Sequence, residues 1–120
     1  MKDAAAVMAG GAAGTLARAG LYEALPVTPG TWPWGTLIAN VAGTLLLGWL
    51  VAAVAGGLWR PLVGTGFCGA LTTFSTFQVQ VVELGKDGHG ALAALYLAVS
   101  VASGLAAAWL GGRLAIRGRT

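Results

Sequence analysis

Thr36, Asn40 and Thr44 recur every four residues, so a helix through them carries one amide between two hydroxyls on a single face. Tyr96, Ser100 and Ser103 make a second polar face of the same kind. The densest polar run is Gly69-Ala70-Leu71-Thr72-Thr73-Phe74-Ser75-Thr76-Phe77, where six of the nine residues are Thr, Ser or Phe. Gly64 and Gly66 stand just before it. Two readings of this run are open. A helix can break here if protein buries it, which frees carbonyls for a cation and leaves hydroxyls to line a path. A continuous helix can also hold Ser and Thr back-bonded to the preceding turn.

Phe74 and Phe77, three apart, share a face. They are either packing residues or a pair of positive ring edges able to meet a small anion. Asn40 is the only Asn; its amide can donate to an anion or bind neighbouring helices together. Arg18 can snorkel to an interface or draw anions into a vestibule. Gly64-Thr65-Gly66-Phe67-Cys68-Gly69 matches a dinucleotide-binding pattern, with Glu83 downstream, but no βαβ unit surrounds it. No P-loop, zinc-protease or nucleophile-elbow motif occurs, and one Cys (Cys68) with one His (His89) offers neither a disulfide nor a zinc site. Nothing points to an enzyme.

The elements that must position these residues are membrane-length segments. Hydrophobic residues make up 57% of the 120, and charged residues only 9%, against roughly 25% in a soluble domain. The surplus must face lipid. Four segments approach the ~20 apolar residues of a span: about 4–22, 34–58, 61–84 and 90–114, together one membrane domain over 1–120. Short connections at Trp59-Arg60 and 85–89 impose an up-down-up-down path. Met1-Lys2 before an alanine-rich run mimics a signal peptide, yet Asp3 and Arg18 spoil the pattern, and the segment is read as a retained helix. The net charge of +3 comes from basic residues between or beyond the apolar runs, which suits lipid headgroups and not nucleic acid. Lys2, Arg60, Arg113, Arg117 and Arg119 share one side, against Lys86 and Arg18, which favours both termini in the cytoplasm.

Three stretches resemble the fluoride channel family, also called Fluc or CrcB. These are Gly10-Gly11-Ala12-Ala13-Gly14 leading to Arg18; Gly35-Thr36-Leu37-Ile38-Ala39-Asn40-Val41-Ala42-Gly43; and, most specific, Gly66-Phe67-Cys68 running into the 69–77 segment. The resemblance implies an all-α, four-helix membrane bundle with a broken third helix, paired as an antiparallel dimer. It implies a structural sodium ion at the dimer centre, on carbonyls of Gly69 and Thr72. It implies a fluoride pathway past Asn40, Phe74, Ser75, Thr76, Phe77 and Ser103, with Tyr96 a weaker member, and Arg18 in the vestibule. The partner is either a second copy of the chain or a paired homologous subunit of opposite orientation, which the five-to-two basic bias favours.

The expected function is therefore passive, fluoride-selective export through the plasma membrane. A small proton-coupled multidrug exporter needs a mid-membrane carboxylate, and Glu23 and Glu83 both lie near span ends. A non-transporting membrane scaffold held by small-residue packing is the third reading.

Overall fold

The computed structural model describes residues 1–118; Arg119, counted above among the basic residues, lies outside them. Among the described residues all regular structure is helical. The elements are α1 (Lys2–Ala24), α2 (Trp34–Ala53), a π-helix (Arg60–Cys68) running directly into one α-turn, α3 (Gly69–Leu71), then α4 (Ser75–Lys86) and α5 (Gly90–Arg117). The third segment is thus broken between Leu71 and Ser75, as the break reading expects.

The second helix stops at Ala53, short of the expected 58. Val54 is extended, and Gly57 takes φ +80°, a left-handed conformation that favours glycine. The reason for this end lies downstream. Arg60 donates from Nε to the Val54 carbonyl at 2.7 Å and from a terminal guanidinium nitrogen to the Val51 carbonyl at 2.9 Å. These are carbonyls at the end of α2 that a continuing helix would have satisfied, and a cation suits the negative end of the dipole. Pro61, which has no N–H, then opens the π-helix where none is needed.

Two close crossings set the packing. Gly10 lies over the Leu62 carbonyl and Gly14 over Phe67 and Ala70, so α1 runs parallel to the first half of the third segment. Gly48 meets Ala108, Gly111 meets Leu45 and Trp49, and Trp32, just before α2, meets Tyr96 near the start of α5 at 5.4 Å, so α2 and α5 are parallel too. Small residues at such crossings let backbones approach within dispersion range where lipid supplies no hydrophobic drive. On the other face α4 runs antiparallel to α5, burying Phe77, Leu84, Ala93 and Tyr96 together. The chain goes up, down, up, down.

By length and composition two helices, α2 and α5, are apolar enough to cross a membrane. The other two segments fall short for visible reasons: α1 carries Lys2, Asp3, Arg18 and Glu23, and the third is divided by its break.

A Cβ at Gly111 would collide with the Leu45 carbonyl and come 2.8 Å from Trp49 N, whereas one at Gly112 meets nothing within 4 Å. Gly111→Ala should therefore destabilise the bundle by about 1–3 kcal/mol, and Gly112→Ala should leave it nearly unchanged. Thermal unfolding in detergent reads the difference; equal midpoints would mean that the α2–α5 crossing is looser than described.

Candidate functional site

At the break the backbone turns away from helical geometry: Thr72 has φ −79° and ψ 152°, an extended conformation. The turn is held from α2. Asn40 accepts from the Thr73 N–H through Oδ1 at 2.7 Å and donates from Nδ2 to the Thr73 carbonyl at 3.0 Å. A side-chain amide thus pairs with both backbone groups of one residue, as a second strand would. Thr73 is buried, so without Asn40 these groups would meet no water. Gly43, one turn along α2, leaves room for the Thr72 methyl. The reading of Asn40 as a residue that binds helices together describes these contacts; its Nδ2 keeps a second N–H.

The pairing redirects two backbone bonds. In an unbroken helix the Thr73 N–H would go to the Gly69 carbonyl, and the Thr76 N–H to the Thr72 carbonyl. The first goes instead to Asn40, and the second to the Thr73 hydroxyl at 3.3 Å. The carbonyls so released belong to Gly69 and Thr72, the pair expected to hold a cation. Neutral carbonyl oxygens suit a hard cation, so this donor set fits sodium. The Thr72 hydroxyl is turned back onto the Cys68 carbonyl at 2.8 Å, leaving the backbone as the available donor.

A cavity of about 340 Å³ lies against the break, and Asn40, Thr44, Gly69, Thr72, Phe74 and Ser100 are among its walls. Phe74 is 69% exposed, whereas Phe77 is 7% exposed inside the core. Their ring centroids are 6.1 Å apart, and Phe77 meets Tyr96 edge-on at 5.2 Å. The two phenylalanines of the motif thus differ in surroundings: one faces outward beside the cavity and one is fixed inside. Ser75 is exposed and Thr76 half-buried at the start of α4. Tyr96 is fully buried and donates to Gln80 Oε1 at 2.9 Å. Arg18, half-buried, stands one turn beyond Gly14 on the same face, a register that carries it toward the break.

Ser103 donates to the Ser100 carbonyl at 3.3 Å and lines no part of this cavity. Ser100 does, and its buried hydroxyl has no partner among the described residues. The four-residue spacing from Tyr96 singles out Ser100 over Ser103. Gln80 was also missed; it reads as a surface residue of α4 until Tyr96 is placed beside it.

A family model described as CrcB-like protein, Camphor Resistance (CrcB), matches residues 5–112. The chain is 44% identical over 123 aligned positions to the fluoride-specific ion channel FluC 1 of Mycolicibacterium paratuberculosis, covering 98% of this chain and 93% of the relative. It is 46% identical over 114 positions to FluC 1 of Mycobacterium tuberculosis, covering 91% and 86%. With the fluoride-specific ion channel FluC of Photobacterium profundum it shares 40% over 114 positions, 90% of either chain.

Asn40→Leu would strip Thr73 of a donor and an acceptor at once, costing about 1–3 kcal/mol for each buried group left unpaired. Thr44 only bonds back to the Asn40 carbonyl in its own helix, so Thr44→Val should cost less than about 1 kcal/mol. Detergent melting curves that place the two variants together would show that Asn40 does not hold the break.

Proposed function

The chain belongs to the family of CrcB-like proteins, and from that premise we propose that it is a passive, fluoride-selective ion channel that lets fluoride leave the cytoplasm. The matched relatives are named fluoride-specific ion channels. The observation in this chain that carries the name over is the Asn40-pinned break, which gathers hydroxyls, an amide and the Phe74 ring around one cavity, with Phe77 next to that ring. It is a transporter of an ion, not an enzyme.

Fluoride is small and strongly hydrated, so a pore must replace its water with donors. Asn40's second N–H and the hydroxyls of Ser75, Thr76 and Ser100 are such donors, and all are neutral. A fixed positive charge in a low dielectric would bind the ion too tightly for it to leave. The edges of Phe74 and Phe77 add weak, positive contact without a charge. Arg18 would raise the anion concentration near the entrance. Ser103 keeps the place in the pathway that the resemblance gives it, behind Ser100.

The long dimension of 48 Å suits a bilayer of about 40–45 Å including headgroups, and we read the chain as crossing the plasma membrane four times. The exposed Phe74 and the open cavity beside it call for a second subunit as the missing wall. An antiparallel dimer would bring four released carbonyls, from Gly69 and Thr72 of each subunit, around one structural sodium ion. Lys2, Arg60, Arg113 and Arg117 lie toward one end and Lys86 toward the other, which favours cytoplasmic termini and a paired homologous subunit over a second copy.

Reconstituted vesicles loaded with fluoride test the function. Fluoride should leave down its own gradient without a proton gradient. Phe74→Ile and Phe77→Ile, which keep bulk but lose ring edges, should slow the loss by about tenfold or more, of the order seen when one oriented electrostatic contact is removed. Wild-type flux in both variants would refute the ring assignment. Proton-driven uptake of organic cations would replace the channel with an exporter, and silence in both assays would leave a scaffold.

The cation has its own readout. Replacing sodium with a large organic cation should lower the thermal midpoint, because a ligand of the folded state stabilises it. Thr72→Val, which keeps the backbone carbonyl, should preserve that dependence, and Gly69→Val, β-branched at the break, should abolish it. A midpoint indifferent to sodium would rule the ion out.

A further inference from the structure

One face of α5 is left bare by the described residues. Leu105, Trp109 and Ile116 are 70%, 66% and 58% exposed on it, and Arg113 is exposed among them. Ser100 and Gly104 mark a different face, the one that lines the cavity at the break. At 3.6 residues per turn Trp109 stands about 180° round the helix from Ser100 and about 140° from Gly104. The second subunit proposed to close that cavity therefore leaves the Trp109 face to lipid.

α5 has 28 residues, about 42 Å at 1.5 Å per residue, against about 30 Å of hydrocarbon. Measured from Gly90, Trp109 falls at about 28 Å and Arg113 at about 34 Å. The indole thus reaches the boundary where such rings settle, and the guanidinium reaches the headgroup layer. The Arg113 guanidinium carbon lies 5.4 Å from the Trp109 ring centroid. This cation–π contact fixes a long, flexible side chain in one place. Yet a ring takes no N–H from a guanidinium edge, and nothing among the described residues accepts from Arg113. Gly112 makes a notch beside it, since a Cβ there would meet nothing within 4 Å. The charge around the site has one sign. Lys2, Arg60, Arg113 and Arg117 share this end with Asp3 alone, whereas Glu23, Glu83 and Asp87 fall at the far ends of α1 and α4.

We infer that Arg113, Trp109 and the notch at Gly112 form a binding site for one anionic phospholipid of the cytoplasmic leaflet. The inference rests on the membrane-spanning reading with cytoplasmic termini, and not on which ion passes. The Arg113 fork takes the phosphate through two parallel N–H bonds. The headgroup enters the notch, and the acyl chains run down the helix over Trp109 and Leu105. Arg60 cannot serve in the same way, because its donors are committed to the Val51 and Val54 carbonyls. A tryptophan anchor and a snorkelling arginine acting separately would need neither the stacking nor the notch. A lipid held here tethers the last two turns of α5, which outreach the hydrocarbon.

Native mass spectrometry of the detergent-purified protein, titrated with phosphatidylglycerol, counts bound lipids and gives their affinities. Phosphatidylglycerol should bind about fivefold or more tightly than phosphatidylcholine, and Arg113→Gln should weaken it by about fivefold, the factor that one basic residue contributes beside an anionic headgroup. Gly112→Leu keeps every charge and points into open space, so the fold should tolerate it while the filled notch weakens the lipid by a similar factor. Lys2→Gln removes a charge from the same end and should change the affinity by less than about twofold. Equal losses in Arg113→Gln and Lys2→Gln, or wild-type affinity in Gly112→Leu, would overturn the site in favour of attraction spread over the basic end. Equal binding of the two lipids would overturn it as well. Displacement of the lipid by millimolar glycerol phosphate would make free phosphate the ligand and refute the lipid. Fluoride loss from vesicles tests the channel reading separately, and its absence would leave this site standing.

Discussion

The reciprocal bond between the Asn40 amide and the backbone of Thr73 is the contact from which the rest of the site follows. A helix interrupted inside an apolar protein leaves backbone groups that water cannot reach, and each must find a partner or cost free energy. Asn is suited to the task because its side chain repeats the donor and acceptor of a peptide unit. Once Thr73 is paired sideways it can no longer serve Gly69, and its hydroxyl is free to cap Thr76. The broken helix, the two released carbonyls, the fresh start of α4 and the placement of Phe74 and Phe77 are consequences of one amide.

That amide reaches its target only because the helices lie unusually near one another. Gly43 beside Asn40 admits the Thr72 methyl, and Gly10, Gly14 and Gly66 let α1 lie against the π-helix backbone. A Cβ at Gly66 would stand 2.7 Å from the Val7 carbonyl. Glycine weakens a helix in water, but here it replaces side-chain bulk with backbone contact. These close-contact glycines are thus the means by which short polar side chains span the gap between helices.

Much of this was legible in the sequence, and what was not had a physical reason. The break could be read from Thr72 to Phe77 because hydroxyl-rich, glycine-led runs are the ones that tolerate it. Its mechanism could not, since the partner of Asn40 lies 33 residues away and no periodicity links them. The π-winding of Arg60–Cys68 leaves no pattern of its own. The early end of α2 was hidden because Val54 to Leu58 is as apolar as the helix before it; the left-handed Gly57 and the hydrogen bonds of Arg60 mark the stop. Ser103 drew notice over Ser100 as a polar residue on the right face, whereas four-residue spacing from Tyr96 pointed to its neighbour one turn back.

On the proposed reading the same geometry leaves one chain incomplete. Phe77 is enclosed by Tyr96 and the α4–α5 contact, but Phe74 is left largely bare, and the cavity it borders opens outward. A large aromatic beside exposed neutral polar groups gains little from lipid, which cannot satisfy the hydroxyls and amide next to it. Two released carbonyls are likewise too few for a hard cation, which takes several oxygen ligands. On the proposed reading both deficits lie around one break, and both are met by one event, the arrival of a second subunit in the opposite sense. An antiparallel partner carries its own break to the same depth in the membrane, whatever the orientation of its termini. On that reading the constraint that Asn40 imposes within one chain extends to the assembly: the surface created by opening the backbone at mid-helix is completed by another such surface.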